Sequence, residues 1–293
     1  MPQSLLKTER AQPLLGTTVA IRVSGLSEPN AHRAISNAFA EISRIHRLMS
    51  FHEADSDVSR LNRNACERTV TIDPSTFEVL SEAQQLSKAS QGCFDVTVAS
   101  RLVDCGLLPV PSGSRSPDMA ATWRDIELGE GCAVRFRRPL WIDFGGIAKG
   151  YAVDRAVQIL ESEGVEQACV NAGGDLRVHG TGPERVFLRP EVLESDAMPV
   201  LDVENAAVAS SSGYVQRQVH NGEVFGPHID GRTRRTVSTD LFASVVAERC
   251  MIADALTKVV LAQAEHAVPL LLRNAASAHL YDPRHGWRHF VPE

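Results

Sequence analysis

The sequence predicts an α+β fold, one domain in which mixed sheets carry packed helices. Three observations lead there. Segments that alternate apolar and polar residues, as half-buried strands do, recur along the whole chain. Helical periodicities fall among them irregularly, not in the strict strand–helix alternation of a parallel sheet. The 293 residues are 43% hydrophobic, enough for a sizeable core, and no repeat, low-complexity tract or linker divides them. The domain is taken to run over residues 12–293.

The elements follow in chain order. Residues 15–23 alternate as a strand. Pro29 and Asn30 then open a helix to about Leu48, with Ile35, Ala38, Phe39, Ile42, Ile45 and Met49 at helical spacing. Asp73 and Pro74 are an N-cap and first-turn pair for a helix that shows Phe77, Leu80, Ala83 and Leu86 on one face and ends near Gly92. Residues 109–118 (PVPSGSRSPD) are a loop by composition. Strands are expected at 133–143, 166–171 and 175–180, with a helix at 148–163 that Gly164 stops. Further strands are expected at 185–189, 200–210 and 242–247. A helix at 249–264, a short one at 267–274 and a hairpin over 277–290 complete the reading.

Residues 140–156 (LWIDFGGIAKGYAVDRA) are the most informative stretch. An apolar strand reaches Asp143, Gly145 and Gly146 make a turn, and Lys149 and Gly150 lead into an amphipathic helix. That order suits a bound phosphate. Glycine lets the backbone approach a ligand, and a helix start offers unpaired N–H groups and a positive dipole end. Asp143 is placed to hold a polar ligand group or a metal, or else to cap the strand end. Residues 170–180 (VNAGGDLRVHG) bring a second double glycine, Gly173 and Gly174, followed by Asp175. Two such turns point to a shared ligand crevice. Neither spells G-x-G-x-x-G, and no Walker motif occurs, so plain dinucleotide-fold and P-loop readings are excluded.

The net charge of −6 gives no field that favours nucleic acid. The basic runs at 135–138 and 232–235 read as solvated charge, the second within reach of a phosphate. Six cysteines are scattered without a C-x-x-C pair, which argues against a zinc site and for reduced thiols in a cytoplasmic protein. The first fifteen residues show no leader pattern, and no run approaches the roughly eighteen apolar residues of a membrane span.

At these motifs the chain resembles the ApbE family, the FAD:protein FMN transferases of flavin trafficking. The resemblance runs in family order through residues 15–23 (LGTTVAIRV), 48–51 (LMSF) with 55–62 (DSDVSRLN) as a flavin-side loop, 92–98 (GCFDVTV), the DFGGIAKGYAVD and VNAGGD segments, and 253–256 (ADAL). It implies a central FAD cleft, FAD as donor, Mg²⁺ as the cation, and a Thr or Ser of a target flavoprotein as acceptor, with AMP leaving. By the same resemblance Asp143 and Lys149 contact the nucleotide, as do Cys93, Phe94 and Asp95. Met49 and Phe51 fall where the family places its isoalloxazine or ribityl contacts; without the resemblance they read as packing. Gly146, through its carbonyl, Asp254 and Thr257 are the metal candidates. Ser210 to Gly213 resemble a cleft-lining segment.

The chain departs from the family twice. The family's Thr lies four residues after the metal-binding Asp, and here that position is Lys258, with Thr257 one residue earlier. Lys258 either replaces the metal's charge as a built-in counter-ion to pyrophosphate, or weakens metal binding and transfer. Residues 225–237 (FGPHIDGRTRRTV) are similar to the family's H-I-I-D-P-R-T-G with a one-residue deletion, which puts His228 at the family histidine. His228 and Asp254 are then the candidate acid/base groups. The alternative readings are an FAD pyrophosphatase, with water as acceptor, and a non-catalytic FAD-binding protein.

Overall fold

The computed structural model describes residues 7–191, 198–220 and 223–291. The leader reading of residues 1–6 and the last two residues of the expected domain lie outside them. In chain order the strands are β1 (Lys7–Leu14), β2 (Thr17–Ser24), β3 (Val70–Thr71), β4 (Ile126–Gly129), β5 (Ala133–Phe136), β6 (Gln167–Ala172), β7 (Asp175–His179), β8 (Glu184–Phe187), β9 (Val200–Val203), β10 (Ala207–Ser212), β11 (Gln218–His220), β12 (Glu223–Phe225), β13 (Phe242–Ala247), β14 (Ser277–Asp282) and β15 (Gly286–Phe290). The α-helices are α1 (Glu28–Met49), α2 (Asp57–Asn64), α3 (Pro74–Ala89), α4 (Ala99–Asp104), α5 (Ala148–Ser162) and α6 (Cys250–Arg273).

An eight-stranded antiparallel sheet in the order β1-β2-β6-β7-β10-β13-β14-β15 organises the molecule. One layer of helices covers it. α1 lies against β1 and β2, α5 against β6 and β7, and α6 against β10, β13 and β14. α5 packs between α1 and α6. The fit follows from the sequence. α1 buries Ala31, Ala34, Ile35, Ala38, Phe39, Ile42, Ile45 and Met49 on one stripe, the spacing an amphipathic helix needs to face a sheet. α6 buries residues nearly all round its first turns, as a helix between a sheet and another helix must. Among the described residues α6 alone has the length and composition of a membrane span, and here it is a core helix.

Several expectations are corrected. A strand, β1, precedes the first expected one and pairs with β2 along its whole length. The expected strand at 133–143 ends at Phe136, where its pairing with β4 ends at Ile126; further on, at Ile142, the backbone bonds to Asn62 and not to a strand. The Asn62 side chain accepts from Ile142 N at 2.8 Å and donates to Ile142 O at 3.0 Å. Residues 55–62 are largely the helix α2, capped by Ser56 through Ser59 N. The strand at 200–210 is two, β9 and β10, separated by a turn with Asn205 at φ 46°. The two expected C-terminal helices are present within α6, divided where Gln263 leaves helical geometry (φ −159°, ψ 68°). Gly173 and Gly174 form the β6–β7 hairpin turn between two strands, as expected. A Cβ on Gly173 would collide with Thr17 Oγ1.

Candidate functional site

The first turns of α5 and α6 meet at the sheet, and their carboxylates are exchanged. Asp254 on α6 accepts from Gly150 N in the first turn of α5 at 3.2 Å. Asp154 on α5 accepts from Cys250 N and Met251 N, both at 2.9 Å, and pairs with Arg177 at 2.9 Å. Each helix start thus receives an anion from the other helix, as its unpaired N–H groups and dipole favour. The approach requires Gly150, where a Cβ would run into the Cys250 carbonyl.

Around this crossing lies a cluster of buried charge. Asp175 and Asp254 are fully buried. Lys149 Nζ reaches Asp175 Oδ2 at 2.7 Å, an ion-pair contact in a geometry that leaves that oxygen without a formal hydrogen bond. Lys258 Nζ bonds Asp254 Oδ1 and donates to Ser211 Oγ at 2.9 Å. Burial opposes the charge on Lys149, yet Asp175 and Asp254 outweigh it and raise its pKa. Burial pushes the Asp175 carboxyl up to about 6, helped by Asp254 and opposed by Lys149 and Lys258. Asp254 goes the other way. Burial would raise it, but Lys258 and Lys149 hold it below the usual carboxylate range. Two like carboxylates in one pocket are driven apart in this way when cations favour one of them.

His228 borders the cluster. Its ring bonds the Ser212 backbone, and Nε2 is sealed off with no hydrogen-bond partner. Burial, then Lys258 and Lys149, push its pKa down to about 3, so the ring is neutral at physiological pH. Phe94 and Lys258 both flank Gly146: a Cβ there would stand 3.3 Å from Lys258 Cε and 3.6 Å from Phe94 Cε2. Asp143 is half-buried; its Oδ2 accepts from Gly145 N at 3.0 Å. Its carboxyl is raised by burial and lowered by that bond and by His52 in the loop after α1.

The remaining candidates are less directly engaged. Met49 and Phe51 belong to the main core. Asp95 caps Thr97 N at 2.8 Å and pairs with Arg234 at 3.3 Å. Cys93 is buried, which pushes its thiol up to about 12, and its carbonyl accepts from Gly231 N at 3.0 Å. The basic run at 232–235 is not all solvated, since Arg234 also donates to Thr97 Oγ1 and Ala121 O, each at 2.9 Å.

Gly146, Asp254 and Thr257 do not fit a divalent cation as they stand. Lys258 occupies one oxygen of Asp254 and Gly150 N–H the other. The Thr257 hydroxyl is turned to Asp254 O at 2.6 Å and Ser211 Oγ at 2.7 Å. A protonated lysine is a competitor for such a site, not a ligand. Among the described residues no group of three or more His, Cys, Asp or Glu is arranged to hold a metal. A cavity of about 260 Å³ lies elsewhere, lined by residues including Arg22, Cys169, His179 and Glu184, and shares no residue with the cluster.

Asn62, Asp154, Asp175 and Arg234 were not singled out as site residues from sequence, whereas Ser211 lay in the expected cleft-lining segment. Asp154 offered a signal, a carboxylate among the apolar positions of α5. Asp175 offered another, following directly on a double glycine. Arg234 and Asn62 offered none, because their partners lie far along the chain.

The chain, an antiparallel sheet with one helical layer, shares the fold of solved ApbE proteins. It superposes on the ApbE protein of Thermotoga maritima with a TM-score of 0.83, at 24% identity, over 98% of this chain and 100% of that one. For the flavinyl transferase ApbE of Pseudomonas stutzeri the TM-score is 0.82, at 22% identity, over 100% and 97%. The chain matches the ApbE family over residues 15–281 and belongs to it. A relative, the FAD:protein FMN transferase of Vibrio cholerae serotype O1, is 26% identical over 265 residues, covering 83% of this chain and 78% of the relative.

Proposed function

We propose that this protein is an FAD:protein FMN transferase. The observation that carries the reading is the family match over residues 15–281, which runs unbroken through every segment that meets at the buried charge cluster. In the proposed reaction a Ser or Thr hydroxyl of a target flavoprotein bonds to the FMN-side phosphorus of FAD. The bond from that phosphorus to the bridging oxygen breaks, AMP leaves with the electron pair, and the hydroxyl loses its proton. Phosphoryl transfer of this kind is governed by positioning and by charge on the phosphates. Lys149 and Lys258 supply positive charge beside Gly146 and the start of α5. His228, neutral with Nε2 unpartnered, is the candidate to accept a hydrogen bond from the incoming hydroxyl and orient it, the proton passing to solvent. The Mg²⁺ that the resemblance implies is not carried into this reading, because the donor set is taken up by Lys258. The cytoplasmic location expected from the cysteine pattern is kept as a proposal, checked by cell fractionation.

The test is incubation with FAD and a flavin-accepting domain, following AMP, FMN and flavin covalently bound to protein. Release of AMP that requires the acceptor is the expected result. AMP and FMN formed without acceptor indicate a pyrophosphatase. The Lys258–Asp254 pair favours a second reading, a non-catalytic FAD-binding protein, in which FAD stays bound and intact in every mixture.

A further inference from the structure

We infer that Lys258 is this protein's resident cation at the pyrophosphate, so that FAD is bound and turned over without a divalent metal. This rests on the FAD-donor reading above. The side chain is built into place. It leaves α6 one turn beyond Asp254, its stem passes over Gly146, and its Nζ is held by Asp254 Oδ1 and Ser211 Oγ. The side chain is 16% exposed, and two of the ammonium's three donors are engaged, which leaves the third for a phosphate oxygen. A compact cation fixed by a buried carboxylate and a hydroxyl neutralises phosphate charge at no cost of capturing an ion from solution. Thr257 completes the arrangement. Its hydroxyl bonds Ser211 and its own helix, so it braces Ser211, which in turn accepts from Lys258. Asp254, tied to Gly150 N, is the fixed end of the chain of contacts. The same side chain thus excludes the metal and supplies a positive charge where the metal would act.

The experiment titrates FAD into the purified protein in EDTA and in excess Mn²⁺, with Mn²⁺ binding read by electron paramagnetic resonance and AMP release followed in the same mixtures with acceptor. For the natural chain the FAD Kd is expected to change less than twofold between the two conditions, with no Mn²⁺ bound tightly. Lys258→Thr is expected to weaken FAD binding at least tenfold in EDTA and to recover it in Mn²⁺, with Mn²⁺ now bound. Circular dichroism confirms that the variant is folded; if it is not, the natural chain's two titrations decide alone. Tight Mn²⁺ binding by the natural chain, an FAD affinity raised tenfold or more by Mn²⁺, or no FAD binding in any mixture overturns the inference. FAD bound equally in both conditions with no AMP released overturns the transfer reading, and with it turnover without metal, and leaves standing only Lys258 as the cation that binds the pyrophosphate; AMP released only with Mn²⁺ overturns the inference.

Discussion

At the scale of single residues, the site is a set of titrating groups pulled in opposite directions. The His228 ring is held to about 3 when folded against 6.5 for the free side chain. The unfolded chain therefore binds more protons below about pH 6.5, and the stability that His228 contributes is lost as pH falls through that window. Asp175 has the opposite sign. Its folded carboxyl is raised to about 6, so its contribution is present at low pH and is lost as pH rises through 6. The two partly cancel between pH 4 and 6, and His228→Gln removes one of them. Chemical denaturation at pH 5 and pH 7 is expected to show the variant's stability at pH 5, relative to pH 7, improved by about 2 kcal/mol over the natural chain. An unchanged difference would mean that the ring titrates normally. Lys258 was legible beside Asp254 from its helical spacing alone. What the spacing left open was the choice between replacing a metal and disturbing one. Ser211 and Gly146, far away in sequence, supply the contacts that separate those outcomes.

At the scale of elements, the crossing of α5 and α6 is the critical joint. Gly150→Ala places a methyl group against the Cys250 carbonyl, which is backbone and has little room to yield. Helix propensity alone favours alanine by up to about 1 kcal/mol. A net loss of about 3 kcal/mol, read from denaturant midpoints, is expected instead, as for other overpacked backbone contacts. A neutral or stabilising effect would show that the two helices are not in contact there. The long periodic helices α1, α3 and α5 were legible within a few residues, because a buried stripe and a capping pair are local signals. β1 was not. Its sequence, KTERAQPL, is polar and contains Pro13, and it is a strand because it edges the sheet beside β2. α2 is short, and its first turn depends on Ser56 and on Asp57, which accepts from Asp73 N and Thr76 Oγ1. Nothing in the local pattern announced those partners.

At the scale of the whole molecule, one core joins the helical layer to the sheet from β2 to β14. The cluster draws on Gly146 and Lys149, on Asp175, on Ser211 and on Asp254 and Lys258, segments spread through more than a hundred residues of sequence. A ligand held there is expected to stabilise the fold as a unit. FAD at about one hundred times its Kd should add about 2.7 kcal/mol, moving a single calorimetric transition upward in EDTA as well as in Mg²⁺. A second transition appearing with FAD would mean that only part of the molecule responds. The α+β class and the run of family segments were legible from sequence because pattern and motif order are properties of the chain. The charge pairing was not, since Lys149–Asp175 and Asp154–Arg177 depend on how the helices seat on the sheet.

The exchange of carboxylates between α5 and α6 also bears on the order in which the protein is made. Asp154 caps amides 96 and 97 residues downstream, and Asp254 returns a bond across 104 residues. A nascent chain that has emerged only as far as β13 holds the start of α5 without Asp254, and Asp154 with Arg177 but without the α6 amides. Lys149 can then already meet Asp175, but Gly150 N–H still lacks Asp254, and the cluster closes when α6 leaves the ribosome. The charge cluster is thus among the last features of the molecule to exist, and a truncated chain ending before Cys250 carries most of the family's motifs without assembling them.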